Sequence, residues 1–209
     1  MPSPIDLVIL GSTGSIGVQA LEIVESNPEK FRIVGLAAGS KNIELLAEQA
    51  KKFSVPVVGT TGDRSKFISL LGNTQVIDGL GAAAQIAAIA CDVVLNGMAG
   101  SIGLGPTLAA LAVGNKVALA NKESLVAGGD LVMAFGRDQI IPVDSEHSAL
   151  YQCFLSGKAS EVKQVILTAS GGPFRDRNDL SDISVADALY HPTWSMGPVV
   201  TINSATLMN

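Results

Sequence analysis

The chain is poor in aromatic residues, with one Trp, two Tyr and six Phe among 209 residues. Bases stack on such rings and phosphate backbones attract a surplus of Lys and Arg, whereas the formal net charge here is −5; a nucleic-acid partner is not expected. Cysteine is scarce as well. Cys91 and Cys153 both lie inside apolar stretches, so two buried, reduced thiols are expected rather than a disulfide framework, and a cytoplasm-like compartment follows. No apolar run reaches the ~20 residues of a bilayer span before Gly, Asp or Asn breaks it, so no membrane association is expected. The opening Met1-Pro-Ser-Pro-Ile5 has no charged segment leading into an apolar one, so no targeting peptide is expected within these residues; a plastid location would require that a transit peptide had been removed. With 47% hydrophobic residues the chain can bury a substantial core without staples.

What is present is an alternation of short β-branched runs and amphipathic stretches. Strands are predicted at 6–10, 32–37, 55–59, 91–96, 116–120 and 139–143, and helices from about Ser15 and Asn42 and over 64–71, 106–113 and 123–135. The strands are apolar on both faces, which predicts a parallel sheet covered by helices on each side, a Rossmann-like doubly wound α/β fold. After residue 143 the character changes. A helix over 146–156, a strand over 163–169, a Gly-rich turn, an acidic stretch and the loop His191-Pro-Thr-Trp-Ser-Met-Gly-Pro198 predict a second, α+β domain, giving a division into 1–143 and 144–209. The second domain reads as incomplete, because a last helix capped by Asn203 or Ser204 stops within two turns.

Gly11-Ser-Thr-Gly-Ser-Ile-Gly17 follows an apolar strand and opens a helix, the setting in which glycines let a pyrophosphate approach free helix N–H groups. Its spacing departs from G-x-G-x-x-G, and a plain tight βα turn remains the alternative. The second strand runs into Gly39-Ser-Lys-Asn42 with no acid for a ribose 2′-hydroxyl; Lys41 suits a 2′-phosphate, so NADP is preferred to NAD, unless Lys41 is only a solvated helix-start residue. Asn121-Lys-Glu-Ser124 sits at a strand's carboxyl end, where open α/β sheets bind ligands, and equally fits a helix cap. Asp144-Ser-Glu-His147 places two hard oxygen donors of the kind Mg²⁺ or Mn²⁺ takes at the end of another strand; the alternative is a helix cap with His147 turned to solvent or core. Ser170-Gly-Gly-Pro173 is a phosphate-binding turn or an ordinary one. Trp194 and Met196, set among Pro and Gly, read as a mobile lid.

Taken together, Gly11–Gly17, Ala120–Ser124, Pro142–His147, Thr168–Phe174, His191–Met196 and Ile202–Asn209 resemble the 1-deoxy-D-xylulose-5-phosphate reductoisomerase family, in order and end to end. The resemblance implies an NADPH- and divalent-metal-dependent conversion of 1-deoxy-D-xylulose 5-phosphate to 2-C-methyl-D-erythritol 4-phosphate, a rearrangement followed by hydride reduction in isoprenoid precursor synthesis. It assigns Gly11, Thr13, Gly14, Ser15 and Ile16 to the pyrophosphate, Gly39, Lys41 and Asn42 to the 2′-phosphate end, and Asn121 and Glu123 to further cofactor contacts. Asp144 and Glu146 correspond to two of three carboxylate metal ligands. Lys122, Ser145, Glu146, Ser170, His191, Trp194, Ser204 and Asn209 correspond to substrate contacts, with Lys122, Glu146 and His191 carrying the chemistry. A homodimer is implied for the full-length protein. The family's pattern continues past Asn209 with a lysine and a third metal-binding glutamate, so these 209 residues alone are expected to bind NADPH without turnover. Two other readings stay open: a nucleotide-binding module without catalysis, and a general NADP-linked sugar dehydrogenase using Lys122.

Overall fold

Alternate side chains of the first strand point to opposite faces, and both faces meet apolar partners. In the computed structural model, which describes residues 3–71 and 74–206, β1 (Ile5–Leu10) sends Ile9 into one core and Val8 and Leu10 into another. The first core is closed by α1 (Ser15–Ser26), α2 (Ile43–Lys52) and α3 (Arg64–Leu71), through Leu21, Val24, Leu46, Ala50 and Phe67. The second is closed by α4 (Ala82–Ala87), α5 (Leu104–Ala112) and α6 (Glu123–Met133), through Ile86, Ala110, Leu111 and Val132. A strand buried on both sides gains from apolar residues at every position, which is why these runs do not alternate with polar ones.

The remaining strands are β2 (Phe31–Ala38), β3 (Val57–Thr60), β4 (Gln75–Asp78), β5 (Val93–Asn96), β6 (Lys116–Leu119) and β7 (Ile140–Pro142). All pair in parallel, in the order β4-β3-β2-β1-β5-β6-β7. The chain therefore winds outward from β1 to β4, returns to the other side of β1, and winds outward again to β7. A crevice opens above the carboxyl ends of β1 and β5, where successive connections leave in opposite directions. At the other end of the sheet Arg32 grips Asp6 with two 2.7 Å hydrogen bonds, and this guanidinium holds the Asp6 carboxyl below its ordinary range. That ion pair lies far from the crevice and is a matter of stability.

A strand and an α-helix of the first unit were absent from the sequence reading. β4 is an edge strand of four residues whose outer members are exposed, so it carries no apolar run, and α4 is an Ala-rich helix without a polar stripe. Asn115 ties the α4 end to the sheet: its amide donates to the Ala87 and Ile89 carbonyls at 3.1 and 2.8 Å, and its oxygen accepts from the Cys91 N–H at 3.2 Å. Burial pushes the Cys91 thiol from its ordinary 9.0 up to about 11. At pH 8 its thiolate is then roughly 100-fold scarcer folded than unfolded, and alkylation by iodoacetamide should slow by about that factor. Ionisation of Cys91 in the unfolded chain alone also means that its contribution to stability falls as pH rises above 9. Equal labelling rates of the native and urea-unfolded protein would show the thiol to be accessible.

The structure divides into two units, Met1–Asp144 and Ser145–Asn209. In the second, α7 (Ser145–Leu155), α8 (Val185–Ala188) and α9 (Pro198–Ala205) are the α-helices among the described residues. Three expectations fail here. Residues 163–169 form no ladder with any described residue; strand conformation needs a neighbour for its N–H and C=O groups, and Val165, Ile166 and Leu167 stand exposed instead. The last helix starts at Pro198 behind Gly197, with proline at the first turn where its missing N–H costs nothing, so Asn203 and Ser204 belong to its end rather than its cap. Cys153, expected to be buried, is exposed on α7, a helix with no buried residue. Among the described residues no helix is long and apolar enough to cross a membrane.

Candidate functional site

The turn from β1 into α1 is built by glycine. Gly11 has φ +77°, and a Cβ there would lie 2.8 Å from the Gly97 oxygen; at Gly17 a Cβ would overlap the Gly11 oxygen and the Ser12 Cα. The N–H groups of Gly11 and Ser12 both donate to the Ala37 carbonyl, at 2.8 and 3.1 Å, which fastens the turn to the end of β2. Gly14 precedes α1 in extended conformation and no side chain caps the helix. Gly14, Ser15 and Ile16 are exposed at its start, so its first N–H groups and positive dipole end face the crevice edge. A tight turn alone would explain Gly11; the uncapped helix behind it is what an anion requires.

Gln49 of α2 braces the same turn from beneath, its amide nitrogen donating to the Ser12 carbonyl at 2.9 Å. Ser12 Oγ and Gln49 Oε1 are buried without a hydrogen-bond partner among the described residues. From β2 the chain passes through Gly39 into a 3-10 turn, Ser40–Asn42, ahead of α2, and Gly39, Lys41 and Asn42 are all exposed. Gly11, Gly39, Thr61, Met98 and Ile102 all line one cleft. The structure therefore brings the glycine turn and the end of β2 to one cavity, and adds a wall, residues 97–102, that the sequence reading missed. Its signal was the glycine run Gly97-Met-Ala-Gly100 directly after a strand.

Asn121, expected to touch a cofactor, is fully buried. Its side-chain nitrogen donates to the Met98 and Gly100 carbonyls at 2.8 and 2.9 Å and to Glu123 Oε2 at 3.1 Å, and its oxygen accepts the Ser124 N–H at 3.1 Å. The last bond satisfies an N–H in the first turn of α6, and the first two tie Asn121 to the 97–102 wall. Glu123 Oε1 accepts the Gly100 N–H at 3.2 Å. Lys122 turns the other way: its Nζ lies 2.8 Å from Asp144 Oδ2, with the two side chains only 21% and 12% exposed. The sheet register explains the pairing. Leu119 of β6 is the partner of Pro142 of β7, and Lys122 and Asp144 follow that rung by three and two residues. Neighbouring parallel strands were legible in the sequence, but the rung on which they align was not.

In the second unit, Glu146 lies in the first turn of α7 and accepts the Ser145 hydroxyl at 2.8 Å, while His147 is exposed. Among the described residues no three His, Cys, Asp or Glu side chains converge as a metal cage. A second cluster forms around Ser170. Gly171 and Gly172 both have positive φ, and a Cβ on Gly172 would overlap the Ser204 carbonyl, so only glycine lets the turn lie against α9. His191, buried, receives the N–H groups of Thr193 and Trp194 on Nδ1, at 3.1 and 2.9 Å. Nδ1 is thus an acceptor, and in the neutral ring the proton sits on Nε2, pointing at Ser170 Oγ 3.1 Å away. Ser204 Oγ stands 3.3 Å from the same oxygen. Ser170, His191 and Ser204, assigned together from the sequence, are together in the fold. Trp194 projects from this loop 60% exposed, and Asn209 lies outside the described residues.

Comparison with known proteins bears on the family of the chain. The family model for 1-deoxy-D-xylulose 5-phosphate reductoisomerase matches residues 7–129, and the model for the C-terminal domain of the same enzyme matches residues 140–209. Reductoisomerases of Beutenbergia cavernae and Streptomyces coelicolor are 56% and 50% identical over 97% and 99% of this chain, which covers 54% and 52% of theirs. Among solved structures, a reductoisomerase in complex with NADPH, fosmidomycin and magnesium superposes with a TM-score of 0.83 at 37% identity, over 98% of this chain and 55% of that one. The Zymomonas mobilis enzyme in complex with NADPH gives 0.85 at 34% identity, again over 98% and 55%. The chain spans about half the length of the curated relatives it matches. With both family models matched in sequence order, this chain belongs to the 1-deoxy-D-xylulose 5-phosphate reductoisomerase family.

Proposed function

We propose that the protein carrying this chain converts 1-deoxy-D-xylulose 5-phosphate to 2-C-methyl-D-erythritol 4-phosphate, using NADPH and a divalent cation, as a step of isoprenoid precursor synthesis. The observation that carries the reading is the presence on one sheet edge of an uncapped glycine turn and the Lys122–Asp144 pair, in a chain of this family. NADPH fits the residues present: glycine at 11 and 17 lets the turn close tightly against Gly97 and α1, the exposed start of α1 offers its N–H groups to a pyrophosphate, and Lys41 is exposed beyond β2, on the side suited to a 2′-phosphate. When bound, NADPH supplies the hydride.

The division of labour expected from the sequence, cofactor binding by 1–143 and substrate chemistry by 144–209, belongs to this proposal. So do the assignments of Thr13, Gly14, Ser15 and Ile16 to the pyrophosphate. Lys122 orients a substrate oxygen by its ammonium group, and Asp144 fixes the direction of that ammonium. Ser170 and Ser204 offer hydroxyls to the substrate phosphate, while His191, donating from Nε2, sets the rotamer of Ser170. His191 is then a positioning residue rather than a base, because Nδ1 is occupied by two backbone donors. Trp194 covers ligand and excludes water. Asp144 and Glu146 carry the hard oxygen donors that Mg²⁺ or Mn²⁺ takes and would supply two of its ligands; among the described residues no group of three His, Cys, Asp or Glu side chains completes a cage. A homodimer in the cytoplasm is part of the same reading, and light scattering on the full-length protein tests the assembly.

The reaction is tested with the full-length protein by following NADPH oxidation and identifying the product by NMR. NADPH consumption without the methylerythritol product would support a general sugar dehydrogenase; binding without consumption would support a nucleotide-binding module. Cofactor choice gives a separate prediction. Lys41→Ala should weaken NADPH roughly 10-fold and leave NADH nearly unchanged, since one charge-assisted contact to a phosphate is lost. Wild-type protein that binds NADH as tightly as NADPH would refute the role of Lys41.

A further inference from the structure

Asn96, Thr107, Asn121 and Ser124 are all fully buried, between the ends of β5 and β6 and the helices that follow. Buried polar clusters are tolerated only when their hydrogen-bond groups are satisfied, and here the accounting closes. The Asn96 amide donates to the Gly103 carbonyl at 3.0 Å and to Thr107 Oγ1 at 2.8 Å, and its oxygen accepts the Met98 N–H at 3.2 Å. Thr107 donates to the Gly103 carbonyl at 2.9 Å and stands 3.3 Å from Ser124 Oγ; Ser124 donates to Asn121 Oδ1. Asn121 and Glu123 then hold Met98 and Gly100 as described above.

The cluster binds a segment that cannot hold itself. Gly100 has φ +81° and ψ −178°, a conformation other residues essentially do not adopt, and a Cβ on Gly103 would lie 2.5 Å from Asn121 Oδ1. The backbone groups of Met98, Gly100 and Gly103 are met by side chains instead of a ladder. The same segment carries Met98 and Ile102 into the wall of the cleft. With its 2′-phosphate beyond β2 and its pyrophosphate at α1, a dinucleotide extends its nicotinamide over the ends of β5 and β6, above this segment.

We propose that Asn96, Thr107 and Ser124 are positioning residues for the nicotinamide half of NADPH: they hold the 97–103 wall and the Asn121–Glu123 start of α6 as one unit, and so set the depth and plane of the ring without touching it. The inference rests on the NADPH reading above. Affinity is supplied mainly by the pyrophosphate and 2′-phosphate ends, which the cluster does not contact. Hydride transfer needs the donor carbon within about 3.5 Å of its acceptor and is sensitive to displacements of about 1 Å. Loosening the wall therefore slows transfer more than it weakens binding.

The test uses the full-length protein and the variants Thr107→Val, Ser124→Ala and Thr107→Ser, with three readouts: NADPH affinity, the fluorescence of bound NADPH, and kcat with its isotope effect from NADPH deuterated at the transferred position. Thr107→Val and Ser124→Ala should keep NADPH affinity within about 3-fold, lower kcat about 10- to 100-fold, raise the isotope effect and change the bound-nicotinamide emission. Thr107→Ser, which retains the hydroxyl, should stay near wild type. Ser124→Ala removes a single oxygen and keeps the question answerable if Thr107→Val does not fold. A fall in melting temperature with kcat, isotope effect and bound emission unchanged would overturn the proposal, as would a loss of affinity as large as the loss of kcat. Absence of turnover in the wild type would remove the reductoisomerase reading instead, and the emission of bound NADPH would then decide the proposal by itself.

Discussion

Gly17→Ala should abolish NADPH binding at concentrations that saturate the wild type. A Cβ at this position overlaps the backbone of Gly11 and Ser12, neither of which can rotate away as a side chain could. Either α1 moves outward or the turn opens, and in both cases the helix N–H groups leave the place where the pyrophosphate is held. Hydrogen bonds to a charged group contribute about 1.5–3 kcal/mol each, so displacing two predicts a loss on the order of 100-fold or more. Gly14→Ala supplies the internal scale: its Cβ would sit 3.3 Å from the Gly11 oxygen, a tight contact that a few tenths of an ångström relieve, and NADPH should weaken less than 10-fold. Fluorescence titration of both variants, alongside their melting curves, checks the ordering. Equal affinity in Gly17→Ala and wild type would remove the turn from the cofactor site.

Asp144→Asn should be nearly as damaging, but to turnover rather than to cofactor binding. The amide preserves shape and removes the charge that both Lys122 and a divalent ion use, and misorientation at a reacting centre costs about 100-fold or more. NADPH affinity should stay within about 3-fold, because the glycine turn is untouched. Stability should fall by roughly 1–3 kcal/mol, between the figures for exposed and for buried pairs, because the 2.8 Å pairing with Asp144 is lost where the two side chains are only partly hydrated. The double variant Lys122→Met, Asp144→Asn should regain much of that stability and none of the activity. Denaturant melts and steady-state kinetics on the wild type and these two variants separate the two effects; full metal-dependent turnover in Asp144→Asn would leave the carboxylate with a helix-terminal role only.

The sheet was readable because its strands are buried on both faces, and that leaves an unbroken apolar run for β1, β2 and β6. β4 escaped because only Val76 of its four residues is buried and Gln75 and Asp78 bound it, whereas β7, at the other edge, keeps the apolar pair Ile140 and Ile141. In the site, what could be read was chemistry confined to one segment: the glycines of 11–17, the lysine at 41, the acids at 144 and 146. What could not be read was contact across segments. Lys122 meets Asp144 through strand register, Ser170 meets His191 through a chain reversal of 21 residues, and Asn121 serves the 97–103 wall before it serves any ligand. The misplaced start of α9 has a local cause. Asn203 and Ser204 are good cap residues, and the proline at 198, a helix-starting residue when it stands first, closes a run of Pro and Gly that reads as a loop.

The position of β1 also has a consequence in time. The earliest strand of this sheet to be synthesised is its middle strand, and β2 can cover one side of it as soon as residues up to Ala38 have emerged. The other side waits for β5, completed at Asn96, and ribosomes adding about 5–20 residues per second make that wait several seconds. Throughout it, Leu7 to Leu10 present open hydrogen-bonding groups and apolar side chains to whatever is nearby. The rate of translation between β2 and β5, and the chaperones present during it, should therefore govern the yield of native protein more than substitutions on the outer strands do.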